Sequence, residues 1–95
     1  MPEKKSAKSY KINKGFIVQK LDDTTVIFDG EKSTLYTFNS TATFIFQKLK
    51  SGNDRRKIVS LLARKYGISE KKAQNDFNML LTDLLSKKII TQKKE

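Results

Sequence analysis

The stretch STLYTFNSTATFIFQKL, Ser33 to Leu49, decides the fold. Its first six residues are rich in β-branched and aromatic side chains, the composition of a strand. At Asn39 the pattern switches. Ala42, Ile45, Phe46 and Leu49 fall at i, i+3, i+4 and i+7, one face of a helix. Asn39 suits the N-cap, because its side chain accepts from a backbone N–H of the next turn. A strand thus runs into a helix with almost no loop. Such a short connection places the strand at the edge of its sheet, with half of its backbone groups unpaired.

Working upstream, two further apolar runs appear: FIVQKL (Phe16–Leu21) and TTVIFD (Thr24–Asp29). Asp22-Asp23 separates them, and Gly30-Glu31-Lys32 separates the second from STLYTF. These short separators predict an antiparallel meander. Downstream, Gly52 stands where the first helix stops, and Asn53 or Asp54 caps a second. Its apolar face is Ile58, Leu61, Leu62 and Tyr66, and Gly67 ends it. Ser69 caps a third helix, with Glu70 favourably placed in the first turn. The buried stripe of that helix is Ala73, Phe77, Leu80, Leu81 and Leu84, widened by Leu85. Ile89–Thr91 has the makings of a short extra strand. The fold class expected is α+β: a three-stranded antiparallel meander followed by three helices, winged-helix-like. Residues 1–14 read as a flexible basic tail, 15–91 as the folded domain and 92–95 as a polar tail.

Composition narrows the chemistry. The 95 residues make one domain and contain no Cys and no His. There is no disulfide framework, no thiol nucleophile, and neither the commonest general base nor the commonest metal ligand. The acids are scattered and outnumbered. The chain is therefore expected not to be an enzyme, and to use no metal or cofactor. Lys and Arg number 20 against 10 Asp and Glu, a net charge of +10. Half of it sits at the ends: Lys4, Lys5, Lys8, Lys11 and Lys14 against Glu3, and Lys93 and Lys94 against Glu95. Such a balance draws nucleic acid, anionic lipid or an acidic partner, although solvated lysine tails account for much of it. No apolar run approaches the roughly 20 residues of a membrane span. The N-terminus has no apolar core of a signal peptide. A cytoplasmic protein with no membrane partner is expected, monomeric or weakly dimeric.

IVSLLARKYGISEKKAQNDFNMLL (Ile58–Leu81) has the cadence of a helix-turn-helix, two amphipathic helices meeting at YGIS. In a DNA reader the second helix presents its first turns to the major groove, here Lys71, Lys72, Gln74 and Asn75. Against this, Asp76 and Asp83 lie on the same helix. The strands also precede the helices, which leaves no length for a wing after them. A small DNA-binding regulator is the alternative reading, and nucleic acid is not the expected ligand.

The ordered set of features from Ser33 to Ile90 resembles the PqqD-like family, the recognition elements of ribosomally synthesised, post-translationally modified peptides. An apolar residue and Asn at a strand end, a Thr-Ala pair and an Ile-aromatic pair appear here as Phe38, Asn39, Thr41, Ala42, Ile45 and Phe46. Leu49 and Gly52 close the first helix, IVSLLARKYGIS follows, and DFNMLLTDLLSKKII ends in a Leu-rich turn. The first helix is one residue longer than the family spacing, and SEKKAQ is more basic than its counterpart.

The resemblance implies a non-catalytic peptide-binding chaperone. The leader segment of a precursor peptide would add as a strand beside STLYTF, in the cleft between that strand and the third helix, and be presented to a radical SAM-type modifying enzyme or a leader peptidase. In such β-augmentation, main-chain hydrogen bonds supply affinity and side-chain pockets supply specificity. The strand offers Thr34, Leu35, Tyr36, Thr37 and Phe38. Side chains alternate, so either Leu35 and Thr37 or Tyr36 and Phe38 face the helices. The closeness of Phe38 to the helix start favours Tyr36 and Phe38 inward. The third helix offers Phe77, Leu81 and Leu85 as apolar walls, with Gln74 and Asn78 as polar contacts. Phe77 is equally a core residue. Lys71 and Lys72 near the mouth are placed to meet acidic residues of the peptide. A third possibility is a structural subunit that uses the same edge for self-pairing.

Overall fold

A computed structural model describes residues 10–92. The order is β1 (Tyr10–Ile12), β2 (Phe16–Leu21), β3 (Thr24–Asp29), β4 (Thr34–Phe38), α1 (Ser40–Lys50), α2 (Arg55–Tyr66), α3 (Glu70–Ser86) and β5 (Ile90–Gln92). Strands β2, β3 and β4 form the expected antiparallel meander, in that order, and β4 is an edge. The three helices follow it. This is an α+β fold, consistent with a winged-helix-like build.

Each switch of pattern has a local cause. Asn39 Oδ1 accepts from the Ala42 N–H at 2.9 Å, Asp54 Oδ1 from Lys57 at 2.9 Å and Ser69 Oγ from Lys72 at 3.1 Å. Each cap satisfies one of the orphan donors of a first turn and contributes about 1 kcal/mol. Gly67 closes α2 in the left-handed conformation, φ 62°, a region where an L side chain would be strained. The β3–β4 turn is held by the buried Asp29 carboxylate, which accepts from the N–H groups of Glu31 and Lys32.

The core lies between the inner face of the sheet and the helices. Ile27 and Phe38 come from the sheet. Ile45 and Phe46 come from α1, Ile58, Val59 and Leu62 from α2, and Phe77 and Leu84 from α3. On α2 Val59 is buried beside Ile58 and Leu62, while Leu61 and Tyr66, expected on the same face, are half-exposed. The Phe38 and Phe46 rings meet edge to face at 5.9 Å and fix the end of β4 against α1. Beside them the buried hydroxyls of Thr25 and Thr43 bond to each other at 2.8 Å, so a polar pair inside the core is satisfied rather than costly.

One segment departs from the sequence reading. Tyr10–Ile12 falls in the range read as tail, yet it is strand β1 and pairs antiparallel with β5, Ile12 opposite Ile90. A three-residue strand interrupted by Lys11 shows no readable period, and its partner is at the other end of the chain. Asn13 completes the joint: its N–H donates to Ile89 O at 2.9 Å and its Nδ2 to Lys88 O at 2.6 Å, while its Oδ1 accepts from the Thr91 hydroxyl at 2.7 Å. The remainder of both tails, 1–9 and 93–95, lies outside the described residues.

Candidate peptide-docking edge and groove

The backbone phase of β4 follows from the hairpins. The Gly30 N–H donates to Gly15 O at 2.8 Å. Continuing the register from Phe16 opposite Asp29, Gly15 and Gly30 are directly opposite, so theirs is a hydrogen-bonded pair. Bonded and non-bonded pairs alternate along an antiparallel ladder. Ile17–Phe28, Gln19–Val26 and Leu21–Thr24 are then the bonded pairs of β2 and β3. Thr25, Ile27 and Asp29 are left to aim their backbone at β4, where they meet Phe38, Tyr36 and Thr34. Thr34, Tyr36 and Phe38 thereby spend their backbone groups inside the sheet. Leu35 and Thr37 aim theirs at the open side, where among the described residues no strand pairs with them.

The side chains divide in the same way. Tyr36 is half-buried and Phe38 is 5% exposed, whereas Leu35 is 62% exposed and Thr37 is exposed. Edge strands are commonly guarded by outward charges. The outward positions of β4 are Leu and Thr. The β4 edge is therefore unguarded against an added strand.

Beside that edge runs a groove along α3, on the flank of the helix other than the one the sequence reading chose. The Lys87 ammonium lies 5.4 Å from the centre of the Tyr36 ring and pairs with the Asp83 carboxylate. Further along, a depression of about 350 Å³ is lined by Asn39, Thr41, Ala42 and Ile45 on one side and by Lys72, Asp76, Met79 and Leu80 on the other. At 3.6 residues per turn, Asp76, Met79, Leu80, Asp83 and Lys87 share one flank of the buried stripe. β4 and α3 run in opposite directions, with Tyr36 near the end of α3 and Asn39 near its middle.

The residues expected on α3 are distributed differently. Lys71, Gln74, Leu81 and Leu85 lie on the opposite flank. Gln74 joins Arg55, Arg56, Val59 and Glu70 around a depression on the α2 side. Leu81 is half-buried against the core, and Leu85 is 39% exposed. Phe77 is 2% exposed, its ring covered by the Arg55 guanidinium at 5.3 Å, so it joins α3 to α2 and is closed to a ligand. Asn78 reaches the rim of a shallow depression shared with Met79, Leu80, Thr82 and Asp83. The structure thus sets Tyr36 beside Lys87 at one end of the groove, buries Phe38 in the core, and leaves Lys71, Gln74, Asn78 and Leu85 outside the groove lining.

The groove lining also holds residues that the sequence reading did not assign to the site: Asn39, Thr41, Ala42, Ile45, Asp76, Met79 and Leu80, with Asp83 and Lys87 at its Tyr36 end. Met79 had a signal: at 71% exposure it is a large apolar side chain standing outside the buried stripe. The groove's charges cancel. Lys72 pairs with Asp76 at 3.5 Å and Lys87 with Asp83, both i,i+4 pairs on the helix surface and worth only tenths of a kcal/mol each. Its lining is mixed: Ala42, Ile45, Met79 and Leu80 are apolar, and Asn39, Thr41, Lys72 and Asp76 are polar. With its lysines paired, the groove offers no excess positive charge to the acidic residues expected near Lys71 and Lys72.

Fold and site together define a small α+β domain of winged-helix-like build, with an unguarded sheet edge beside a helix-lined groove. The family model for coenzyme PQQ synthesis protein D (PqqD) matches residues 24–90, and the chain belongs to the PqqD family. Two solved structures share its fold. TbiB1 in complex with the TbiA(beta) leader peptide superposes with a TM-score of 0.76 at 19% identity, covering 90% of this chain and 99% of that one. Lasso peptide synthetase B1 complexed with the leader peptide gives 0.79 at 23% identity, covering 87% and 98%. No curated protein sequence matches the chain.

Proposed function

We propose that this chain captures the leader segment of a ribosomally made precursor peptide by strand addition at β4. The observation that carries this is the edge itself. The backbone groups of Leu35 and Thr37 point to open solvent beside a groove of mixed lining whose charges are paired. Membership of the PqqD family supports the reading, as do two structures of the same fold, each solved with a leader peptide bound to that protein. The chain binds and does not transform: it holds the leader so that a separate enzyme, a radical SAM-type modifying enzyme or a leader peptidase, meets the rest of the peptide at raised effective concentration and in a fixed approach. It works in the cytoplasm as a monomer or weak dimer, without metal or cofactor.

The test uses a fluorescent candidate leader peptide and a fluorescent DNA duplex, each titrated across a salt series. The leader is expected to bind at roughly micromolar affinity or tighter, about −8 kcal/mol, with weak salt dependence. The duplex is expected to bind weakly and to dissociate steeply with salt as counterions are released. Tight, sequence-selective duplex binding would overturn the proposal in favour of a DNA-binding regulator.

A further inference from the structure

The sheet's outer face carries a pattern that the groove does not explain. Registers across the three strands place Ile17, Phe28 and Leu35 in one row, with Gln19, Val26 and Thr37 in the next. All point away from the helices. Ile17 is 65%, Phe28 37% and Leu35 62% exposed. The outward positions of β2, β3 and β4 are Ile17, Gln19, Leu21, Thr24, Val26, Phe28, Leu35 and Thr37, and none is charged, in a chain whose residues are 32% charged. Contiguous apolar exposure of this kind marks a surface that receives something. Depletion of charge is the compositional mark of an interface centre.

Strand addition at β4 supplies one occupant. A residue directly opposite Leu35 on an added strand has its side chain on the same face as Leu35, whichever way the strand runs, and its two neighbours point into the α3 groove. Opposed side chains in adjacent strands are in contact. A second copy is a poorer occupant, since two chains of net charge +10 repel. Resting on the reading of β4 as the peptide-binding edge, we propose that the bound peptide is read on both faces. The residue that pairs with Leu35 is a large apolar one, and it stands as the fourth side chain of the row Ile17–Phe28–Leu35. The ligand class is thus an extended segment with apolar side chains at adjacent positions, one for the groove and one for the outer face, rather than a strand with one apolar and one indifferent face.

The test is a double-mutant cycle on the full chain. Twelve-residue peptides are selected from a random displayed library, and those whose binding is lost with Thr37→Pro are kept as edge binders. Synthetic versions are scanned with Ser at each position, against the parent and Leu35→Thr. Thr keeps strand propensity, and Leu35 is largely exposed, so the fold is preserved. One apolar peptide position is expected to couple to Leu35. Leu35→Thr should weaken the parent peptide up to about fivefold and leave the peptide with Ser at that position unchanged. An equal loss for both peptides, or no apolar position of this kind, overturns the two-faced reading while leaving the edge site intact. If no selected peptide is sensitive to Thr37→Pro, the edge site itself is wrong. If Leu35→Thr lowers self-association by sedimentation and leaves peptide affinity unchanged, the row holds a second copy and the inference fails.

Discussion

Thr37→Pro should separate binding from folding at one residue. The Thr37 N–H points out of the sheet, and its side chain is exposed. Proline there removes no bond within the chain. Its ring faces the open side, where proline is tolerated on edge strands. The preceding Tyr36 is restricted to the extended conformation it already holds. In the complex, the same N–H would donate to a peptide carbonyl. Its loss removes a bond worth about 1 kcal/mol net and leaves that carbonyl without a donor; together the cost is about 2 kcal/mol. This is roughly a thirtyfold rise in Kd. Tyr36→Pro is the contrast. Its N–H belongs to the bonded pair with Ile27, and its ring lies under Lys87. Losing both should cost 3 kcal/mol or more, a large share of the ~5–15 kcal/mol of a typical domain, and lower the melting temperature by more than about 10 °C. Calorimetry measures leader affinity, and circular dichroism measures folding. Amide exchange adds a third readout. Leu35 and Thr37 should exchange quickly in the free chain and become protected on binding, whereas Tyr36 and Phe38 are protected throughout. The reasoning is refuted if Thr37→Pro folds and binds as the parent does.

Four further outcomes follow from the geometry. Met79→Ser, on the groove flank, should weaken leader binding by about 1 kcal/mol, roughly fivefold, while Gln74→Ala, on the α2 side, should leave calorimetric affinity within error. Thr43→Val strands the buried Thr25 hydroxyl and should cost about 1–3 kcal/mol by urea unfolding, whereas Thr25→Val/Thr43→Val together should recover most of that. Asn13→Ala removes the side-chain bonds to Lys88 and Thr91 and should lower the melting temperature by several degrees, with leader affinity at the distant β4 edge unchanged. The pure chain incubated with a full precursor should leave the peptide mass unaltered; a modified or cleaved product by mass spectrometry would make it an enzyme.

How much of this was legible depends on whether the governing contacts are local. The meander, the caps at Asn39, Asp54 and Ser69 and the left-handed Gly67 all follow from residues within a turn or two of each other, and the structure has them. Strand β1 does not, because Tyr10–Ile12 is made a strand by Ile90–Gln92 and by Asn13, not by its own composition. Which flank of α3 borders β4 was not legible, for a different reason. A buried helical stripe such as Ala73, Phe77, Leu80 and Leu84 has two flanks of equal standing in sequence, one with Gln74 and Leu81, the other with Asp76, Met79 and Asp83. Which of them borders β4 is decided by tertiary approach, visible here as Lys87 reaching Tyr36.

The bonding phase of β4, in contrast, was within reach of the sequence. Asp22-Asp23 is a two-residue turn, so its flanking residues, Leu21 and Thr24, form a bonded pair. Alternation then turns the backbone of Thr25 and Ile27 towards β4. These are also the inward-facing residues of β3, buried under the helices. Opposed residues share a face, so whatever pairs with them on β4 is also inward-facing and also spends its N–H within the sheet. Once Tyr36 and Phe38 are taken as inward, Leu35 and Thr37 must point their backbone groups outward, without the length of the second turn being known. The side chains that leave the core and the backbone groups that leave the sheet therefore belong to the same two residues. This coincidence lets one added strand satisfy the edge's hydrogen bonds at Leu35 and Thr37 and, in doing so, bring its own alternate side chains to the groove.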